Sequence, residues 1–152
     1  DMDSTNASSR LINISAGAVT SSGANTLTAG FVVGGTGTEK VLIRADGPAL
    51  IPYGVTGTLS QPVLTIYDAS GNIIASSTGW SNTPVIGNSP VLSSVTQATS
   101  SIMASVGAFS LGANSGDSAL VVSVPPGNYT AQVTGVYGTT GYALIEIYEV
   151  SQ

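Results

Sequence analysis

Histidine and cysteine are both absent from this 152-residue chain. Their absence removes the imidazole of a Ser-His-Asp triad, His-ligated and thiolate metal sites, disulfides and a thiol nucleophile. Acid–base work would fall to eight carboxylates. A glycosidase needs two of them facing one cleft. Asp46, Asp68 and Asp117 each stand near Gly or Ser in expected turns, and Glu146 and Glu149 are expected on opposite faces of one strand. No pair is indicated, so no catalytic residue, no metal and no cofactor is expected, and the protein is expected not to be an enzyme.

Other chemistry-bearing groupings have simpler explanations. Asp68-x-Ser70-x-Asn72 places oxygens at every second residue, as a calcium loop does, yet lacks the further carboxylates of such a loop and reads as a turn. Gly34-Gly35-Thr36-Gly37 has no following Lys-Ser/Thr and reads as a strand connection, not a phosphate cradle. Lys40, the only lysine, reads as a solvated strand charge. Asn6, Asn13 and Asn128 begin Asn-x-Ser/Thr triplets, which arise readily in a Ser/Thr-rich chain. Trp80 with Tyr53 and Tyr137 would make an aromatic platform for a glycan; the competing reading of a lone Trp is a plug at the end of a core.

Only 7% of residues are charged while 42% are hydrophobic, against about 25% charged in an ordinary soluble domain. The surface must therefore be tiled with Ser, Thr, Gly and Asn, which leave little repulsion between copies. Three cations, Arg10, Lys40 and Arg44, against eight carboxylates make nucleic acid and anionic membranes poor partners. No run of eighteen apolar residues is present, so no membrane insertion is expected. The start at Asp1 suits a mature exported chain, and with the uncharged coat it suggests an extracellular or cell-surface setting.

Residues 1–9 read as a polar N-terminal arm and residues 10–152 as one domain. Period-two segments are expected as strands at Arg10–Ser15, Thr28–Val33, Glu39–Ala45, Val63–Tyr67, Ile73–Ser76, Ala108–Leu111, Ala119–Val124, Tyr129–Val136 and Tyr142–Val150. Hairpins are expected through Gly34–Thr38 and through Asp68–Asn72, with the last two long strands as a closing pair. Leu92, Val95, Ala98, Ile102 and Val106 recur at helical spacing between Pro90 and Gly107, predicting one short helix with Ser89 as its cap, or an irregular crossover. In the strand after Asn128, Tyr129, Ala131 and Val133 should face inward and Asn128, Thr130, Gln132 and Thr134 outward. Eight or nine strands with at most one helix predict an all-β protein, an antiparallel β-sandwich of jelly-roll or immunoglobulin-like type.

Leu11-x-Asn13-x-Ser15, Ala29-Gly30-Phe31-Val32, Val41-Leu42-Ile43-Arg44-Ala45-x-Gly47-Pro48-x-Leu50, Val106-Gly107-Ala108-Phe109, Pro126-Gly127-x-Tyr129-Thr130-Ala131 and Gly141-x-Ala143-Leu144-x-Glu146-x-Tyr148 span nearly the whole chain. Together they resemble a β-rich module of large secreted and surface proteins of environmental bacteria. More loosely, the stretch from Tyr67 to Ser76 and the closing Gly-x-Tyr-Thr are similar to pre-peptidase C-terminal sandwich domains. The resemblance implies an extracellular, non-catalytic part and carries over no catalytic residue. The functional expectation is a subunit that polymerises into an extracellular filament or surface layer, with copies of itself as partner. Arg10, Leu11, Ile12 and Ile14 are expected to add a strand to a neighbour, and the Asn128, Thr130, Gln132 and Thr134 face to lie against one. The alternative is a carbohydrate-binding or cell-surface anchoring module using Trp80, Tyr53 and Tyr137.

Overall fold

The computed structural model describes residues 13–21 and 25–151. Its strands are β1 (Asn13–Thr20), β2 (Leu27–Val33), β3 (Glu39–Asp46), β4 (Pro62–Tyr67), β5 (Ile73–Thr78), β6 (Val85–Ile86), β7 (Ser94–Gln97), β8 (Ser118–Val124), β9 (Gly127–Gly135) and β10 (Gly141–Val150), with one short helix, α1 (Ser100–Ser105). All ladders are antiparallel. They form two five-stranded sheets, β1-β10-β3-β8-β7 and β2-β9-β4-β5-β6. The fold is the expected antiparallel β-sandwich, with ten strands among the described residues.

β2 buries alternate residues, so Leu27, Ala29, Phe31 and Val33 face in while Thr28, Gly30 and Val32 face out. β9 does the same with Tyr129, Ala131 and Val133, as its alternation predicts. Phe31 and Tyr129 are direct cross-strand partners whose rings stack with centroids 5.5 Å apart. These side chains meet Ile43, Leu120, Ile145 and Ile147 of the facing sheet in the central core. Tyr129 also closes the turn before its own strand, donating its hydroxyl to the Pro125 carbonyl at 2.6 Å.

The middle of the first sheet is covered on both faces. A second apolar layer of Leu42, Trp80, Met103, Leu111, Val121 and Tyr148 lies on its outer side, beneath α1 and the chain up to Leu111. This explains why β8 and the end of β3 are buried nearly residue by residue. It also corrects two local expectations. The helix is confined to Ser100–Ser105, with Thr99 accepting from the Ile102 amide as its cap at 3.1 Å. The upstream part of the expected helix is instead β7, because Val95 and Thr96 suit a strand, and Leu92 of the presumed helical stripe is 87% exposed. Ala108–Leu111 is no strand but part of this cover; Gly107, at φ +76, ends the helical turn as expected.

Connectivity differs from the expected hairpins. β2 and β3 lie in opposite sheets, as do β9 and β10, so neither Gly34–Thr38 nor the final turn joins paired strands. A strand with one apolar row, such as β2, fits an edge covered on one face; one with two, such as β3, fits only the doubly covered centre. β4 and β5 do form the expected hairpin. β1 runs on to Thr20, beyond the strand end expected at Ser15, and Gly17 packs in the sheet against the Tyr142 ring: a Cβ there would run into its hydroxyl. The expected strand start at Arg10, and with it Leu11 and Ile12, lies outside the described residues.

Candidate functional site

The strongest grouping of chemistry-bearing side chains is one the composition does not announce. β3 and β10 are neighbours with Arg44 directly opposite Glu146. Counting two residues along each strand puts Asp46 and Tyr148 on the same outer face. All four are buried. The Arg44 guanidinium donates from Nε to Asp46 Oδ1 at 3.2 Å, from Nη1 to the Phe109 carbonyl at 2.6 Å, and lies with Nη2 3.2 Å from Glu146 Oε1. Its Cζ sits 4.4 Å from the centre of the Phe109 ring, within cation–π range. The Tyr148 hydroxyl donates to Glu146 Oε2.

One cation facing two buried carboxyl groups favours one of them holding a proton. Burial, followed by the hydrogen bond with Glu146, pushes Asp46 up to about 9. Neutral Asp46 removes one of the two negative charges that would otherwise face the single Arg44 guanidinium. Burial, then the bond to Glu146, also raises the Tyr148 phenol. An acid, a carboxylate, a phenol and a guanidinium would suit acid–base chemistry if a substrate reached them. Here Phe109 seals them, and the cluster acts as a latch between the first sheet and its cover.

The expectation of no paired carboxylates is thus corrected. Asp46 is the last residue of β3, not a turn residue, and Glu146 meets it across Arg44. The signal was Arg44-x-Asp46 and Glu146-x-Tyr148, two polar pairs of like parity inside apolar strands.

The other two aspartates build loops. Asp117 Oδ1 accepts from the amides of Gly47 at 2.6 Å and Ala49 at 3.1 Å, capping the 3-10 turn Pro48–Tyr53 from 70 residues further along the chain than Gly47, and Oδ2 accepts from Ser115 Oγ at 2.6 Å. Asp117→Ala strands those two donors and should destabilise the fold by about 2–3 kcal/mol, read as a lower urea midpoint, with Asp117→Asn losing less. Asp68 accepts from the amides of Ser70 and Asn72, both at 2.9 Å, and from Ser89 Oγ at 2.5 Å. The Ser89 bond, partly offset by burial, and the turn bonds hold its carboxyl below the usual range. This is the turn expected in place of a calcium loop. Among the described residues no group of three or more His, Cys, Asp or Glu is placed to hold a metal ion.

The aromatic platform is not assembled as expected. Trp80 is 8% exposed in the outer apolar layer with its indole N–H on the Gly112 carbonyl at 2.8 Å, so its face is unavailable to a sugar and the core-plug reading applies. Tyr53 leans on Phe109 at 5.2 Å over the sheet cover. Tyr137 alone stands free, 99% exposed, beside a polar cleft. Of the expected assembly residues, Ile14 lies in β1 opposite Ile147 of its own sheet. Asn128, Thr130, Gln132 and Thr134 form the outward row of β9, flanked by β2 and β4.

Comparison with family models, curated proteins and solved structures returned no match. What fold and site define is therefore a class: an antiparallel β-sandwich whose first sheet carries a buried Arg-carboxyl latch. The resemblance to secreted bacterial modules agrees with it at the level of architecture.

Proposed function

We propose that this chain is a structural subunit that joins copies of itself into an extracellular filament or surface layer. One observation carries the reading: among the described residues the sandwich is open on both sides, and the sides differ. β1 lies over β2, β10 over β9, β3 over β4 and β8 over β5. Edges β1 and β2, eight and seven residues long, therefore share one side, where Val19 and Val32 are exposed. The short edges β6 and β7 share the other, where Ile73, Val85, Ile86 and Leu92 are exposed on and around β5 and β6. Unpaired strand edges are templates for another chain, and natural monomers blunt them with charge. Here charge is scarce.

A contact between two unlike sides is head-to-tail, and continues as a filament unless its rotation closes a ring. Ile14 already pairs within its own sheet. A donated strand would thus come from Arg10, Leu11, Ile12 and the residues before them, which lead into β1, and would add to the β6 or β7 edge of a neighbour. The uncharged surface supports an extracellular setting, and no described helix is long and apolar enough to cross a membrane.

Ile86→Lys puts a charge on the apolar edge. The native chain should scatter light increasingly with concentration and show fibres by negative-stain electron microscopy. Ile86→Lys should stay monomeric with an unchanged near-UV spectrum. A native chain that remains monomeric at millimolar concentration removes the proposal; fibres unaffected by Ile86→Lys move the junction elsewhere.

A further inference from the structure

We propose that the cleft beside Tyr137 binds a neutral glycan. Its volume is about 670 Å³, and none of its lining residues is charged. That size falls within the range of small-molecule sites, about 300–1,000 Å³. Gln61, Thr78, Ser81, Asn82 and Asn114 offer amide and hydroxyl groups of both hydrogen-bonding senses. Asn82 donates from Nδ2 to the Thr78 carbonyl at 2.7 Å, which fixes its amide and leaves Oδ1 as an acceptor. Gly79 and Gly116 bring bare backbone to the wall: a Cβ on the first would stand 2.7 Å from Asn82 Nδ2, and on the second would strike the Ser60 carbonyl.

Tyr137 supplies the second, independent observation. Among the described residues it is the only non-glycine with positive φ, at +55. Such backbone costs free energy for a bulky side chain, and residues that adopt it cluster at functional sites. The ring returns nothing to the core, being 99% exposed. The turn beneath it is pinned by the Val136 amide on the Gln61 carbonyl at 3.0 Å and by Thr139 Oγ1 on the Val136 carbonyl at 2.8 Å. An amphipathic ring at the rim of a cleft lined by uncharged donors and acceptors matches the apolar faces and hydroxyl rims of a sugar. An ionic ligand would find no counter-charge there, and the chain's net charge of −5 disfavours acidic polysaccharides. The cleft shares no residue with the proposed assembly edges.

Native gels cast with dextran, laminarin, xylan or galactomannan test this. At least one polymer should retard the native chain. Tyr137→Gly should abolish the retardation while its melting temperature stays the same or rises, because glycine suits the backbone; Tyr53→Ala should remain retarded. A purely structural role for Tyr137 would leave retardation intact. Should Tyr137→Gly melt lower, Asn114→Ala decides in its place and must weaken retardation. No retardation in any of the four gels, or equal retardation of the deciding variant, overturns the inference.

Discussion

Replacing Arg44 with methionine is expected to destabilise the fold by about 3–5 kcal/mol, the range for breaking a buried charged cluster by removing one partner. The loss is large because three acceptors depend on one guanidinium: Asp46 Oδ1, the Phe109 carbonyl and the Glu146 carboxylate. Methionine fills much of the space but leaves Glu146 as an uncompensated charge under the Phe109 cover. Arg44→Lys keeps the charge without the planar fork and should lose less. Urea midpoints order the three chains. Trp80 adds a local readout, since its indole bonds Gly112 at the end of the cover; a loosened cover should shift its emission to the red in Arg44→Met. Replacing the whole cluster, with Arg44→Met, Asp46→Leu, Glu146→Leu and Tyr148→Phe together, should recover most of the loss, because apolar packing often equals a buried ion cluster in stability. A quadruple variant as unstable as Arg44→Met would show that the damage is packing, not stranded charge.

How the latch escaped a reading of the sequence has a physical cause. In β9, alternation of Tyr129, Ala131 and Val133 with polar residues reports burial correctly, because that strand's outer face is wet. In β3, Arg44 and Asp46 follow the same alternation and look equally wet, yet both are fully buried. What covers them is the segment around Phe109, some sixty residues away in the chain. Alternation states which residues share a face, not whether a distant segment covers it. Connectivity has a similar ambiguity. A five-residue glycine loop such as Gly34–Thr38 serves equally as a hairpin turn or as a passage between sheets, and the choice is made by which core each strand completes. The turn at Asp68 was legible because its bonds are local, within four residues, whereas the cap that Asp117 gives Gly47 and Ala49 was not. The cleft also went unread, since Gln61, the Thr78 to Asn82 stretch, Asn114 and Tyr137 come from separate parts of the chain that converge only in three dimensions. Tyr137 was visible as an aromatic, but its positive φ was not.

The pH dependence of stability should carry the mark of Asp46. In the folded protein this carboxyl releases its proton only near about 9, whereas in the unfolded chain it does so near about 3.9. Between those values the folded state holds a proton that the unfolded state has lost, so stability falls as pH rises, by up to ~1.4 kcal/mol per pH unit. Below the window both states are protonated and Asp46 contributes no slope. Above it, the latch holds two carboxylates against one guanidinium. Asp68 acts in the opposite sense: its carboxyl is held low by Ser89 and the turn amides, so its contribution is present at neutral pH and lost on acidification. Tyr148, raised by burial and by Glu146, keeps its proton throughout and adds nothing to the slope. Maximum stability is therefore expected on the acid side of neutrality, with a decline toward pH 9. Asp46→Asn keeps an N–H donor for Glu146 and has no proton to lose. Urea midpoints at pH 5, 7 and 9 should fall for the native chain and change far less for Asp46→Asn. A native midpoint that is flat across these three values would falsify the assignment of the proton to Asp46, and an equally steep decline in Asp46→Asn would place the titrating group elsewhere.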